Sequence, residues 1–267
     1  MIIKSFRELW PTTVLLGIAL LTVEIVLSYV LPTFQKEFSR QMMRLPFLQN
    51  MMRALLGSDI SEGFGPEMFA AICWVHPVVL AIVWTGAIAG CTRLPAGEVD
   101  RGTIDVLLSM PVSRWQLFII ESLMWLVSMV VIIALGAAGN QIGSRGVADN
   151  LRADATCNFV IMVNMLALTM TVGAAAWLMS ALSDRRGRAI MVVFALVLAS
   201  FLTNYLAQFW EPAQKIEFLS ILRYYRPLSI LRHCTWPWRD LGVLAACSSA
   251  LWLSAGVIFA RRDLSTV

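Results

Sequence analysis

The sequence predicts an all-α membrane protein: six transmembrane helices, an N-terminal amphipathic interfacial helix, and a short polar helix between the second and third spans. Three observations predict it. The 267 residues are 58% hydrophobic and only 14% charged, and the mean hydropathy is +0.73, outside the range of water-soluble domains. Apolar runs long enough to cross about 30 Å of hydrocarbon recur along the chain. The pieces between them are short. Backbone N–H and C=O groups find no water in lipid, so such runs must satisfy one another internally, as helices.

The chain opens "MIIKSFRELWP". At helical spacing Ile2, Ile3, Phe6, Leu9 and Trp10 share one face, with Lys4, Arg7 and Glu8 on the other. This predicts a helix lying in the headgroup plane and ended by Pro11. The simpler alternative is the start of the first span. That span covers roughly 12–31. It carries Glu24 and ends "SYVLPTF" without a small-x-small cleavage site, so it is expected to remain a transmembrane helix rather than leave as a signal peptide. Residues 33–66 place Phe38, Met42 and Leu45, then Leu48, Met51, Met52 and Leu55, at helical spacing on either side of Pro46. They predict two short surface helices.

The remaining spans are expected at 67–92, 115–139, 156–182, 189–210 and 240–260. Pro77 should kink the second. Between the fifth and sixth, Tyr224, Tyr225, Trp236 and Trp238 suit a membrane–water boundary. No internal repeat and no long soluble segment appears, so residues 1–267 read as one membrane domain.

Several polar groups lie inside the spans. A charge in hydrocarbon is unfavourable by a few kcal/mol or more, so Glu24 should face the bundle or a wet cavity. Glu24 and His76 are candidate pathway residues; each also reads as a hydrogen-bonded structural group. Glu121 and Asn164 read as structural. "GAIAG" (Gly86–Gly90) and "GAAAWLMSA" (Gly173–Ala181) permit close helix approach, within one protomer or between two. The cysteines Cys73, Cys91, Cys157, Cys234 and Cys247 form no CxxC pair and mostly lie in apolar runs, which predicts buried reduced thiols.

The net charge of +4 carries no nucleic-acid signal in a chain mostly within lipid. Basic residues fit interfacial anchoring better. The 21 lysines and arginines divide ten to eleven between the two sides. Dense arginines in the short loop "SDRRGRA" and in "RRDLSTV" favour both termini in the cytoplasm.

The stretch "EVDRGTIDVLLSMPVSRWQL", Glu98 to Leu117, is charged although apolar runs flank it. Pro111 should end any helix begun near Glu98. Ile104, Leu107 and Leu108 fall on one face, with Asp100, Arg101 and Asp105 as a polar rim. Ser113 and Gln116 make a capping box that starts the third span sharply. The physics alone allows either an interfacial turn or a docking element that offers an apolar knob and charged rim to a partner's groove.

"GEVDRGTIDVLLSMPVSRWQLFIIESL" resembles the E-x-x-R-G-T-x-x-x-L-L-x-x-P-V-S-R segment of permeases of the ABC type-2 exporter family. The arginine-rich loop after the fourth span and the ending "FARRDL" resemble that family too. Val99–Asp100 departs from it, since many relatives carry further glutamate or lysine there. The resemblance implies that residues 98–110 contain a cytoplasmic coupling helix seated on a separate ABC ATP-binding subunit. Glu98, Asp100, Arg101, Gly102, Thr103 and Asp105 would then be docking residues, with Asp184, Arg185 and Arg186 of the second loop as further contacts or lipid-phosphate anchors; Arg188 shares that loop. It further implies a pair of permeases, a homodimer, in the cell inner (cytoplasmic) membrane, with an extracytoplasmic or periplasmic partner also conceivable.

The sequence excludes several alternatives. The lysines are Lys4, Lys36 and Lys215, and none follows a glycine, so there is no P-loop and ATP with Mg must bind the partner. His76 and His233 lack ligand-spaced companions, so no metal site is expected. No G-x-S-x-G or HExxH element is present, and catalysis on this chain is not expected. The reading is therefore a non-catalytic membrane permease subunit that couples ATP hydrolysis elsewhere to substrate movement. The alternative is an ATP-driven mechanical transmitter acting on an extracytoplasmic partner. The substrate is not legible.

Overall fold

The computed structural model describes residues 2–33, 66–109, 111–147, 152, 154–208 and 210–262. The two surface helices expected within 33–66 lie outside the described residues. Among those described, six helices are long and apolar enough to cross a membrane: Ser5–Pro32, Glu67–Cys91, Arg114–Ser144, Ala155–Leu182, Arg186–Leu206 and Trp238–Arg261. The protein is an all-α membrane protein, and each span lies where the hydropathy placed it. The third runs further than expected, to Ser144, and the fifth stops earlier, at Leu206.

The N-terminal helix differs from expectation. A single helix runs Ile2–Thr33, with Pro11 inside it. The proline removes one hydrogen bond to the preceding turn, yet the helix passes through. Its inward face explains why. Ser5, Leu9, Thr13, Gly17, Leu20, Glu24 and Ser28 are all buried, one unbroken stripe at three- to four-residue spacing across Pro11. That stripe packs along the third span, in the most extensive helix pairing of the molecule. Meanwhile Phe6 and Trp10 are exposed and stack with ring centroids 5.1 Å apart. Apart from Leu9 and Leu20 the stripe is small or polar, while Leu15, Ile18 and Val26 face outward. This is the pattern of helix association in membranes, where lipid competes for leucine but not for small or hydrogen-bonding groups.

Close approach of the first and third spans requires glycine at Gly139 and Gly143. A Cβ at Gly139 would overlap the Leu21 carbonyl oxygen, and one at Gly143 would come within 2.5 Å of the Ile25 carbonyl oxygen. The segment "GAAGNQIG" (Gly136–Gly143) is thus the tightest seam. The two glycine segments singled out from sequence serve internal packing instead: Gly90 and Gly173 both abut the Trp125 ring.

The fourth span is the most buried and packs chiefly against the sixth and the second. Phe118, Trp177, Trp252 and Phe259 cluster where the third, fourth and sixth spans meet. The second span breaks at His76, as Pro77 predicts. Its halves are Pro66–Val75 and Pro77–Cys91, and the His76 ring accepts a hydrogen bond from the Val78 N–H at the start of the latter. The fifth span is peripheral, with only Ala189, Val193, Val197 and Asn204 buried.

On the side away from residues 93–113, short helices at Glu211–Ile216 and Pro227–His233 cap the bundle. Trp236 and Trp238 are exposed and stacked, in keeping with a boundary position. Tyr225 is not. It is fully buried, and its hydroxyl donates to the Trp74 carbonyl at 3.2 Å. Two cysteines also depart from expectation. Cys157, at the start of the fourth span, is disulfide-bonded to Cys234, just beyond Pro227–His233. Cys73, Cys91 and Cys247 are free thiols. Spacing carries no signal for a pair 77 residues apart.

Candidate functional site

The segment that joins the second and third spans is built from three turns. After Cys91 the helix is interrupted at Leu94, whose φ of −124° and ψ of 138° are extended. A wide turn follows over Arg93–Gly97, then a single helical turn at Glu98–Asp100, and a short helix at Ile104–Leu108. Pro111 lies between that helix and the next. The Ser113–Gln116 capping box then starts the third span at Arg114, with both reciprocal hydrogen bonds formed.

The residues of the motif have distinct roles. Gly102 has φ +68°, the left-handed region that suits glycine, and it turns the chain between the two helical pieces. Glu98 is buried. Its carboxylate accepts 2.6 Å hydrogen bonds from the Arg101 guanidinium and the Thr103 hydroxyl, one from each side of the turn. Arg101 also donates to the Gly97 carbonyl at 3.1 Å. Glu98 is therefore an internal clasp with little exposed surface. Asp100, Arg101, Gly102, Thr103 and Asp105 are exposed.

Ile104 and Leu107 are buried against the bundle, while Val106 is 72% exposed. The outward ridge thus carries Asp100, Arg101, Asp105 and Val106.

Contacts outside the motif fasten this segment to the spans. Ser180 of the fourth span accepts from the Ala96 N–H at 3.1 Å and donates to the Leu94 carbonyl at 2.9 Å. Arg93 pairs with both Glu8 and Glu121, and the Ser5 hydroxyl donates to Glu121. These four residues tie the first, second and third spans together beside the turn. No local pattern signals this group: Arg93 reads as an ordinary anchor at a span end, and Ser5 has no distinctive neighbours.

The second loop lies on the same side. Arg186 donates to the Ala89 carbonyl at 2.9 Å, at the carbonyl end of the second span, where a cation complements the helix terminus. Asp184 pairs with Arg262, which also donates to the Ala181 carbonyl at 2.7 Å. Arg185 is exposed. The two loops are thus brought together by Arg186.

Of the candidate pathway residues, Glu24 is completely buried between the first and third spans. Asn140 donates to its carboxylate at 3.0 Å and to the Ser28 hydroxyl at 2.8 Å. His76 caps a helix, and no hydrogen bond joins it to Glu24 among the described residues. Asn164 donates to the Tyr224 carbonyl at 3.1 Å. One further group, Asp154 with Cys157 and Cys234, brings carboxylate and sulfur atoms close together, but both sulfurs are used in the disulfide.

Six helices long and apolar enough to span, with a clasped polar turn on one side, define a multi-pass membrane protein. Residues 4–235 match the family model described as ABC-2 family transporter protein, and the chain belongs to that family. No curated protein matches the chain.

Proposed function

We propose that this permease works with a separate ABC ATP-binding subunit and receives that subunit's motion through the segment Glu98–Leu108. The observation that carries the reading is the clasp. Glu98 holds Arg101 and Thr103, so the exposed ridge of Asp100, Arg101, Asp105 and Val106 is presented on a rigid base. Ser180 and Arg93 fix that base to the spans. A ridge that is charged, exposed and rigidly attached suits a groove on a soluble motor. ATP and Mg belong to the motor, and this chain serves as its non-catalytic membrane partner. Two permease copies with two motors complete the assembly, and closure of the motors displaces the second and third spans to move substrate between the copies.

The orientation reading has support from the disulfide. Disulfides persist in oxidising compartments, and Cys157–Cys234 lies on the side opposite the turn. That side is accordingly extracytoplasmic. The turn, the arginine-rich loop and both ends of the described chain then face the cytoplasm of a cell whose inner membrane holds the protein.

The test is co-purification of the ATP-binding subunit with Asp100→Arg and Asp105→Arg variants, alongside ATP-dependent flux in proteoliposomes. Loss of association with an unchanged melting temperature is expected. Full association in both variants would remove the ridge from the interface.

A further inference from the structure

On the turn's side of the membrane, a cavity of about 310 Å³ opens between the first, second and third spans. Its polar end is lined by Arg93, Arg101, Arg186 and Glu8. Three guanidinium groups thus converge from three separate pieces of chain: the end of the second span, the clasped turn and the head of the fifth span. The carboxylates of Glu98 and Glu121 line a different, smaller cavity on the other side of Arg93. Arg93 is paired with Glu8 and Glu121, and Arg101 with Glu98, so Arg186 is the cation here without a carboxylate partner among the described residues; it donates to the Ala89 carbonyl and the Thr92 hydroxyl.

Two buried donors at this cavity have no acceptor among the described residues: Nε of Arg93 and Nε1 of Trp125. A buried N–H without a partner is unfavourable, and a ligand oxygen would remove that penalty. The far end is apolar, formed by Leu16, Met129 and Ile132. From Glu8 to Leu16 the first helix rises about 12 Å at 1.5 Å per residue, so the cavity leads from the headgroup level well into the hydrocarbon layer.

A site with cationic donors at the interface and an apolar wall below fits one kind of molecule. We propose that this cavity binds an anionic amphiphile, with a phosphate-bearing head on Arg93, Arg101 and Arg186 and a hydrocarbon tail along Leu16, Met129 and Ile132. Guanidinium groups suit this head because they donate in pairs to phosphate oxygens. The inference goes beyond the proposed motor coupling and does not depend on it, since the cavity belongs to this chain alone.

The experiment measures melting of the purified permease in detergent with added phosphatidylglycerol, phosphatidylcholine of the same tails, or inorganic phosphate. Phosphatidylglycerol should raise the melting temperature saturably, while the other two should not. Arg186→Gln should weaken the phosphatidylglycerol effect at least threefold, and Arg186→Lys should restore part of it. Arg185→Gln, on the same loop but outside the cavity, should leave it unchanged. Should Arg186→Gln fail to fold, Trp125→Phe keeps a ring, removes the N–H, and should weaken the effect about twofold. Equal stabilisation by both lipids overturns the proposal, as does equal loss in Arg185→Gln and Arg186→Gln. Inorganic phosphate matching the lipid would also overturn it, by showing that the apolar wall plays no part.

Discussion

The carboxylate of Glu98 and the hydroxyl of Thr103 meet at 2.6 Å across a turn whose glycine, Gly102, has a positive φ. With Arg101 on the other carboxylate oxygen's side of the clasp, the E-x-x-R-G-T pattern is a folding unit. Its acid is inside, its arginine bridges, its glycine turns and its threonine closes. The surface this unit displays is Asp100, Arg101, Asp105 and Val106, with the acid inside.

Charge reversal at Glu98 is therefore a different experiment from reversal at Asp100. Glu98→Arg places a cation in a buried position beside Arg101 and Arg93 and should unfold the turn. Glu98→Gln keeps an acceptor for Thr103 but loses the ionic partner of Arg101. Because Arg101 is half exposed, the loss should be about 1 kcal/mol. Thermal melting of the two variants beside Asp100→Arg checks this, with the order of stability Asp100→Arg, Glu98→Gln, Glu98→Arg.

Glu24 separates a structural from a transporting role. Its hydrogen bond from Asn140 joins the first and third spans, and interhelical bonds of this kind contribute about 0.6–2 kcal/mol in membranes. Glu24→Gln preserves an acceptor and should leave the melting temperature within a degree or two, whereas Glu24→Leu should lower it. A Glu24→Gln protein that melts normally but loses ATP-dependent flux would assign the carboxyl to the pathway.

The seam of the first and third spans should be intolerant of side chains. Gly139→Ala must push apart two backbones, and overpacking of this kind is unfavourable by about 1–3 kcal/mol. Gly187→Ala, where a Cβ has open space around it, should be neutral. Melting curves of the two proteins decide it.

The disulfide predicts both a chemical state and a side. Protein from native membranes should show no maleimide reaction at Cys157 and Cys234 until reduced, and then only from the face opposite the arginine-rich loop. Cys157→Ser with Cys234→Ser should lower stability by about 2–4 kcal/mol for a loop of 77 residues. Labelling of both thiols without reductant would refute the pairing and its bearing on orientation together.

Much of the architecture was legible because hydrocarbon thickness and proline are strict. The spans follow from hydropathy, the break at His76 from Pro77, and the sharp start of the third span from Ser113 and Gln116. Other features depend on contacts that no local pattern encodes. Pro11 was read as a stop, yet the buried stripe from Ser5 to Ser28 carries the helix through it. Ile104, Leu107 and Leu108 read as one apolar face, for the membrane interface or for a partner; the bundle buries Ile104 and Leu107 and leaves Val106 outside. Periodicity shows that a face is apolar without showing what covers it. The cluster of Arg93, Glu8, Glu121 and Ser5 joins residues far apart in sequence, and the disulfide does the same.

That cluster bears on how force travels. Arg93 grips one acid on the first helix and another on the third, while its own backbone ends the second. Under the proposed coupling, a load on the ridge would reach a knot in which three rods are lashed together, and the first give below it would be the proline break beside His76.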